Sequence, residues 1–151
     1  MATAEKLSQD FELGFTYTRS TGPVVGKFLT GLREGTVYGI RGSDGRVLVP
    51  PAEYDPQTGA ALSEFVEVGQ QGRVVSWCWV GEPREAHHLQ QPFAWAMVQL
   101  DGADVPMIHY LEAPSAEAVT TGARVGISWA EERTGFITDI RCFTLLEGAA
   151  S

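Results

Sequence analysis

"PSAEAVTTG" (residues 114–122) is a short run of helix-tolerant residues, closed by Pro at one end and Gly at the other, between two stretches of strand-like sequence. Before it stands "VPMIHYLE" (105–112) and after it "RVGISWAE" (124–131), both rich in β-branched and aromatic residues. Working outward, "FAWAMVQL" (93–100) joins the first of these through Asp101-Gly102-Ala103-Asp104. "FITDIRCF" (136–143) follows the second after Glu131-Glu132-Arg133-Thr134-Gly135, and "RVVSWCWV" (73–80) opens the series. The two short connections are tight hairpins. Five strands with one helical turn between the third and fourth predict an OB-fold, a small five-stranded barrel. In the fifth, Phe136, Thr138, Ile140 and Cys142 alternate with Ile137, Asp139, Arg141 and Phe143, giving one buried and one wetter face.

Upstream of the barrel the pattern predicts two smaller parts. Residues 36–41 and 46–49 form a hairpin around Ser43-Asp44-Gly45, and a second turn follows at Asp55-Pro56-Gln57-Thr58-Gly59, with Pro50-Pro51 between. That is the spacing of two zinc knuckles, yet no cysteine is present there, and a tetrahedral structural site needs thiolate or imidazole ligands. "EFVEVG" (64–69) then leads toward the barrel strands. Earlier still, Thr21-Gly22-Pro23 opens a helix with a hydroxyl for the cap and Pro near the first turn; Val24, Val25, Phe28, Leu29 and Leu32 recur at helical spacing and Gly35 ends it. Its apolar face packs either on its own domain or on a partner. Residues 1–13 are polar and irregular, a frayed or weakly helical arm, with structure beginning near Phe15. The expected division is 1–35 arm and helix, 36–68 degenerate ribbon hairpin, 69–146 OB-fold and 147–151 tail, an all-β protein with one short N-terminal helix.

With 44% hydrophobic residues, four Trp, four Tyr and seven Phe in 151 residues, the chain has material for a real core. No apolar run approaches the roughly 20 residues that span a bilayer, and the opening residues lack a cationic segment followed by an apolar one, so a soluble cytoplasmic protein is expected. Cys78 and Cys142 fall inside strand runs, where a lone cysteine is a small buried hydrophobe. The formal charge of -8 argues against a phosphate backbone as partner. It is unevenly spread: Arg19, Lys27, Arg33, Arg41 and Arg46 face only Glu34 and Asp44 within residues 19–46, leaving +3 there and -11 elsewhere. That basic stretch is the candidate anion site.

Catalytic constellations are absent from the sequence pattern. His87-His88 lie in a loop between prolines without an acidic or Cys partner at ligand spacing, His109 sits within a strand, and Glu131-Glu132 is a hairpin tip. No nucleophile elbow, phosphate-binding glycine loop or zincin helix occurs. Trp95 and Tyr110 permit a single-strand nucleic-acid reading of the barrel, against the acids Asp101, Asp104 and Glu112 in the same region.

"FTYTRSTGPVVGKFLTGL" (15–32), Pro50-Pro51, "GQQGRVVSW" (69–77), "PFAWAMVQLDGAD" (92–104), "TGARVGISW" (121–129) and "GFITDIRCF" (135–143) together resemble the OB-fold acyl-CoA-associated proteins catalogued as domain of unknown function 35. That family has an N-terminal helical segment, a rubredoxin-like zinc ribbon and a C-terminal OB-fold. Laid on its ribbon, the ligand positions here are Arg41, Asp44, Asp55 and Thr58, so the resemblance implies a ribbon that kept its turns and holds no metal. Either hydrogen bonds with an Arg41 to Asp pair, or a partner protein, then holds it in place. The subset closest in "FTYTRSTGP" and "RGSDGRVLVPPAEYDP" accompanies thiolase-like aldolases of actinobacterial steroid side-chain degradation. What this implies is an accessory subunit without catalysis or cofactor of its own, in a complex of two copies of each chain that cleaves a β-hydroxyacyl-CoA. The subunit would stabilise its partner and help shape the acyl-CoA entrance. Phe15, Tyr17, Pro23, Val24, Phe28 and Leu32 are the expected interface, and Arg19, Lys27, Arg33 and Arg41 the expected site for the phosphates of coenzyme A. A stand-alone acyl-CoA-binding or acyl-CoA-processing protein, and a single-strand nucleic-acid binder, are the alternatives.

Overall fold

The computed structural model describes residues 7–147. One helix, α1 (Gly22–Glu34), precedes eight strands: β1 (Tyr38–Arg41), β2 (Val47–Leu48), β3 (Phe65–Glu67), β4 (Gln71–Val80), β5 (Phe93–Leu100), β6 (Met107–Glu112), β7 (Arg124–Trp129) and β8 (Ile140–Leu145). The first three form a small antiparallel sheet in the order β2-β1-β3, and the other five close into a barrel in the order β4-β5-β6-β8-β7. With a 3-10 turn at Ala116–Ala118 between β6 and β7, this is the OB-fold read from "PSAEAVTTG". The "EFVEVG" stretch does not enter the barrel; as β3 it pairs with β1, Gly39 opposite Val66.

The fifth barrel strand starts later than its alternation suggests. Ile137–Asp139 is a 3-10 turn, and β8 begins only at Ile140. Asp139 is the cause: its buried carboxylate accepts the backbone N–H groups of Thr134 (2.9 Å), Gly135 (2.7 Å) and Phe136 (3.3 Å), which curls the chain before the strand can pair.

Helix α1 has the predicted limits but not the predicted cap. Thr21 already has helical dihedrals and makes no side-chain cap bond, whereas Ser20 Oγ accepts the Gly22 N–H at 3.3 Å. At the other end Gly35 donates its N–H to the Leu32 carbonyl at 3.0 Å. The apolar stripe faces inward. Phe28 and Leu32 join Val37, Val47 and Val49 of the ribbon and Val74, Val98, Leu100, Ile140 and Phe143 of the barrel in one core, while Val24 packs with Ile40 and Leu48. Full burial of such side chains contributes about 1.5–3 kcal/mol each. The expectation that Val24, Phe28 and Leu32 form a partner surface is therefore corrected: they are 6%, 3% and 0% exposed against their own chain. Among the described residues no helix is long and apolar enough to cross a membrane.

Candidate functional site

The ribbon answers how its turns hold without thiolates. Gly45 and Gly59 take φ of 84° and 72°, the left-handed conformation that the two knuckle turns require. Between the turns Asp55 is buried, and its carboxylate accepts the Ser43 hydroxyl (2.6 Å) and the N–H groups of Ser43 (2.7 Å), Gln57 (2.8 Å) and Thr58 (2.9 Å). These bonds, led by the Ser43 hydroxyl, hold the Asp55 carboxyl well below the usual carboxylate range. Asp44 accepts the Arg46 backbone N–H (3.0 Å) and its guanidinium (2.6 Å), and Gln57 Nε2 reaches Asp44 at 2.9 Å, tying one turn to the other. Arg41 does not pair with an Asp: it binds Glu64 at 2.8 Å and the Gly45 carbonyl at 3.0 Å. Thr58 lies near Ser43, Oγ to Oγ 3.4 Å. A guanidinium, a hydroxyl and two carboxylates whose oxygens are already taken up by hydrogen-bond donors do not suit zinc.

The four bases expected to share one anion do not converge. Arg19 lines a shallow hollow of about 570 Å³ at the start of α1 together with Glu53 and Val25. Lys27 lies over the rings of Phe65 (4.4 Å) and Tyr38 (5.2 Å), a cation-π arrangement. Arg33 is exposed in the last turn, six residues and so roughly 240° further round the helix. Arg41 is committed to Glu64.

A second hollow, about 520 Å³, lies on the barrel where β6 meets the turn before β8, lined by His88, Trp95, Ile108, His109, Tyr110 and Ile137 among others. Its base exists because β6 and β8 pair only at Leu111–Phe143 and Glu112–Thr144. Where that ladder stops, the buried His109 donates its Nε2–H to the Ile140 carbonyl at 2.6 Å. Burial lowers the His109 pKa, and its Nε2–H is committed to the Ile140 carbonyl, so the ring bridges β6 to the start of β8. Trp95 and Tyr110 are a cross-strand pair with centroids 4.2 Å apart, and Phe93 stands 4.8 Å from Tyr110. The His87-His88 loop folds over them: His87 meets Phe93 edge-on at 5.2 Å, and the His88 N–H donates to the Tyr110 hydroxyl at 3.0 Å. The rings thus pack tilted and edge-on against one another. Cys142, buried beside them, has its thiol pushed up to about 11 by burial, which leaves it protonated and unreactive. The sequence already groups Trp95 and Tyr110 by their place on neighbouring strands; Ile137 joins them only through the 3-10 turn before β8, which strand alternation does not show.

The expected interface divides in two. Val24, Phe28 and Leu32 are core, whereas Phe15 and Tyr17 are 77% and 79% exposed and Pro23 is exposed as well. Phe11 and Leu13, just upstream of the stretch read as structured, are equally free, at 84% and 69%.

Comparison with known proteins bears on the barrel first. A family model for the C-terminal OB-fold domain of ChsH2 matches residues 65–130, a stretch that runs from β3 to just past β7. A structure of a protein of unknown function from the DUF35 family of Sulfolobus solfataricus is 26% identical, covering 71% of this chain and 78% of that one with a TM-score of 0.57. A structure described as an Ltp2-ChsH2(DUF35) aldolase is 16% identical, covering 79% of this chain and 90% of that one with a TM-score of 0.58. No curated protein matches the sequence.

Proposed function

We propose, taking the barrel as the OB-fold domain of a DUF35-type protein, that the chain is a non-catalytic accessory subunit of a thiolase-like aldolase. The likeness of residues 65–130 to the ChsH2 OB-fold domain carries this reading, since a solved structure of the same fold is described as an Ltp2-ChsH2(DUF35) aldolase. The partner supplies the retro-aldol step on a steroid side-chain β-hydroxyacyl-CoA. A base takes the β-hydroxyl proton, the Cα–Cβ bond breaks to give a ketosteroid, and the enolate left on the short acyl-CoA is stabilised and reprotonated. The side chains here that resemble such machinery are engaged in structure. Asp55 and Asp139 hold backbone N–H groups, His109 bridges two strands and Cys142 stays protonated.

In this proposal the subunit stabilises the partner and helps form the acyl-CoA entrance, in a complex of two copies of each chain. Exposed Arg19 and Arg33, which form no ion pair among the described residues, are the bases left to meet coenzyme A phosphates. Phe15, Tyr17 and Pro23 remain the interface. The test is co-expression with the thiolase-like subunit, followed by turnover of a β-hydroxyacyl-CoA by each chain alone and by both. Activity only in the pair, or a large gain in the partner's solubility and rate, is the expected result. Turnover by this chain alone, or a partner fully active without it, sinks the proposal. A second reading, an acyl-CoA-binding protein acting alone, draws on the 520 Å³ apolar hollow, and saturable binding of acyl-CoA to the free chain would favour it.

A further inference from the structure

We infer that residues 11–17 add as a β-strand to a sheet edge of the aldolase partner, an inference that rests on the accessory-subunit reading above. Residues 7–20 have no regular secondary structure, and every one of them is exposed. Within them Phe11, Leu13, Phe15 and Tyr17 occupy alternate positions, separated by Glu12, Gly14 and Thr16. Extended backbone places all four on one face of a ribbon about 20 Å long and the intervening residues on the other. Helical backbone would turn each successive apolar residue by about 200° and leave no stripe. Phe, Tyr and Thr are also the residue types that suit a pleated, half-buried surface.

The chain itself gives this face no place. Its core clusters are complete without residues 7–20, and the four side chains are 69–84% exposed. Three aromatics at roughly 150–250 Å² each, with a Leu beside them, can bury on the order of 600 Å², most of the about 800 Å² that each partner contributes to a standard interface. The exit from the arm into α1 is fixed, because Gly22 turns the chain at φ 71° and Ser20 Oγ holds its N–H.

Charge decides between a different protein and a second copy. Residues 7–18 carry Asp10 and Glu12 and no base, on a chain of net charge -8, so a second copy would bring net like charge to the contact. The occupant is therefore a partner edge with an apolar surface beneath it and bases along its rim. Strand addition meets the arm's backbone with hydrogen bonds and its alternate side chains with pockets.

Phase is the test. One Thr inserted between Gly14 and Phe15 moves Phe11 and Leu13 to the face opposite Phe15 and Tyr17, whereas two inserted Thr restore a single face. Binding of the full chain to the purified thiolase-like subunit is measured by calorimetry, with size exclusion and light scattering for the free chain. The single insertion is expected to weaken binding at least about thirty-fold, the loss of one buried hot spot, and the double insertion to stay within about threefold of wild type. The free chain's thermal midpoint should be the same in all three, since the arm touches no core. Equal binding by both insertion variants, strong or weak, overturns the strand assignment. Self-association of the free chain that only the single insertion abolishes makes a second copy the occupant and overturns the assignment to the partner. Failure of the wild-type chain to bind the subunit at all overturns instead the accessory-subunit reading.

Discussion

Asp55 shows how one side chain can hold together two turns of the kind that zinc knuckles hold with a metal. Zinc knuckles hold their turns by ligation and lose their fold with the metal; here a carboxylate draws Ser43, Gln57 and Thr58 inward through four hydrogen bonds. Because those bonds favour the charged form, the folded pKa lies below the ordinary value of 3.8. A depressed carboxylate contributes stability that is fully present above the unfolded pKa and is lost as pH falls through 3.8 toward the folded value. Thermal midpoints should therefore be flat with respect to this group above about pH 5 and fall below about pH 4. Asp55→Asn should start from a lower midpoint at neutral pH and lose part of the acid slope. Melting both proteins from pH 3 to 7 checks this, and parallel curves across that range would remove Asp55 from the account. In the sequence Asp55 stood out only as a position where the family resemblance would place a ligand. Its role as a hub was not visible, because Ser43 is twelve residues away and reaches Asp55 only once both turns have closed.

At the scale of elements, α1 marks the limit of what periodicity tells. A stripe at positions 24, 28 and 32 states that one face is buried and is silent about what covers it. The limits of the helix were legible from Gly22, Pro23 and Gly35, and all five barrel strands from their aromatic and β-branched runs. The fifth strand's start was not, since Asp139 bonds backward to residues 134–136 in a way that alternation cannot show. The apolar alternation at residues 11–17 was equally legible, but it lay across the point where an irregular arm was expected to give way to structure. A buried Phe28 makes a sharp prediction: Phe28→Ala should destabilise the free chain by about 3–5 kcal/mol, the cost of removing a buried aromatic and leaving its cavity. Urea titration of the free chain measures it. A change below about 1 kcal/mol would return the helix face to the surface.

Across the whole molecule, helix, ribbon and barrel share one interior. Phe28 and Leu32 from α1, and Val37, Val47 and Val49 from the ribbon, stand in the same cluster as Val74, Leu100, Ile140 and Phe143 of the barrel. Polar ties cross at the same places: Asp104 accepts the Val47 N–H at 2.8 Å and returns its own N–H to the Val47 carbonyl at 2.9 Å. Gln70 donates to the Gly35 carbonyl at 2.8 Å, and Arg133 to that of Arg33 at 3.0 Å. Removing the first two parts would open the barrel core along the side they cover and leave these donors and acceptors without partners, a loss of several large burial contributions at about 1.5–3 kcal/mol each. That is of the order of the whole stability of a small domain, about 5–15 kcal/mol. The full chain should therefore unfold in one transition, and a fragment of residues 69–147 should not fold alone. All four tryptophans, at 77, 79, 95 and 129, report on the barrel, whereas far-ultraviolet dichroism at 222 nm also follows α1. Urea curves from the two signals should superimpose with a single midpoint. Separate midpoints, or a fragment with native tryptophan fluorescence, would show the barrel to be independent.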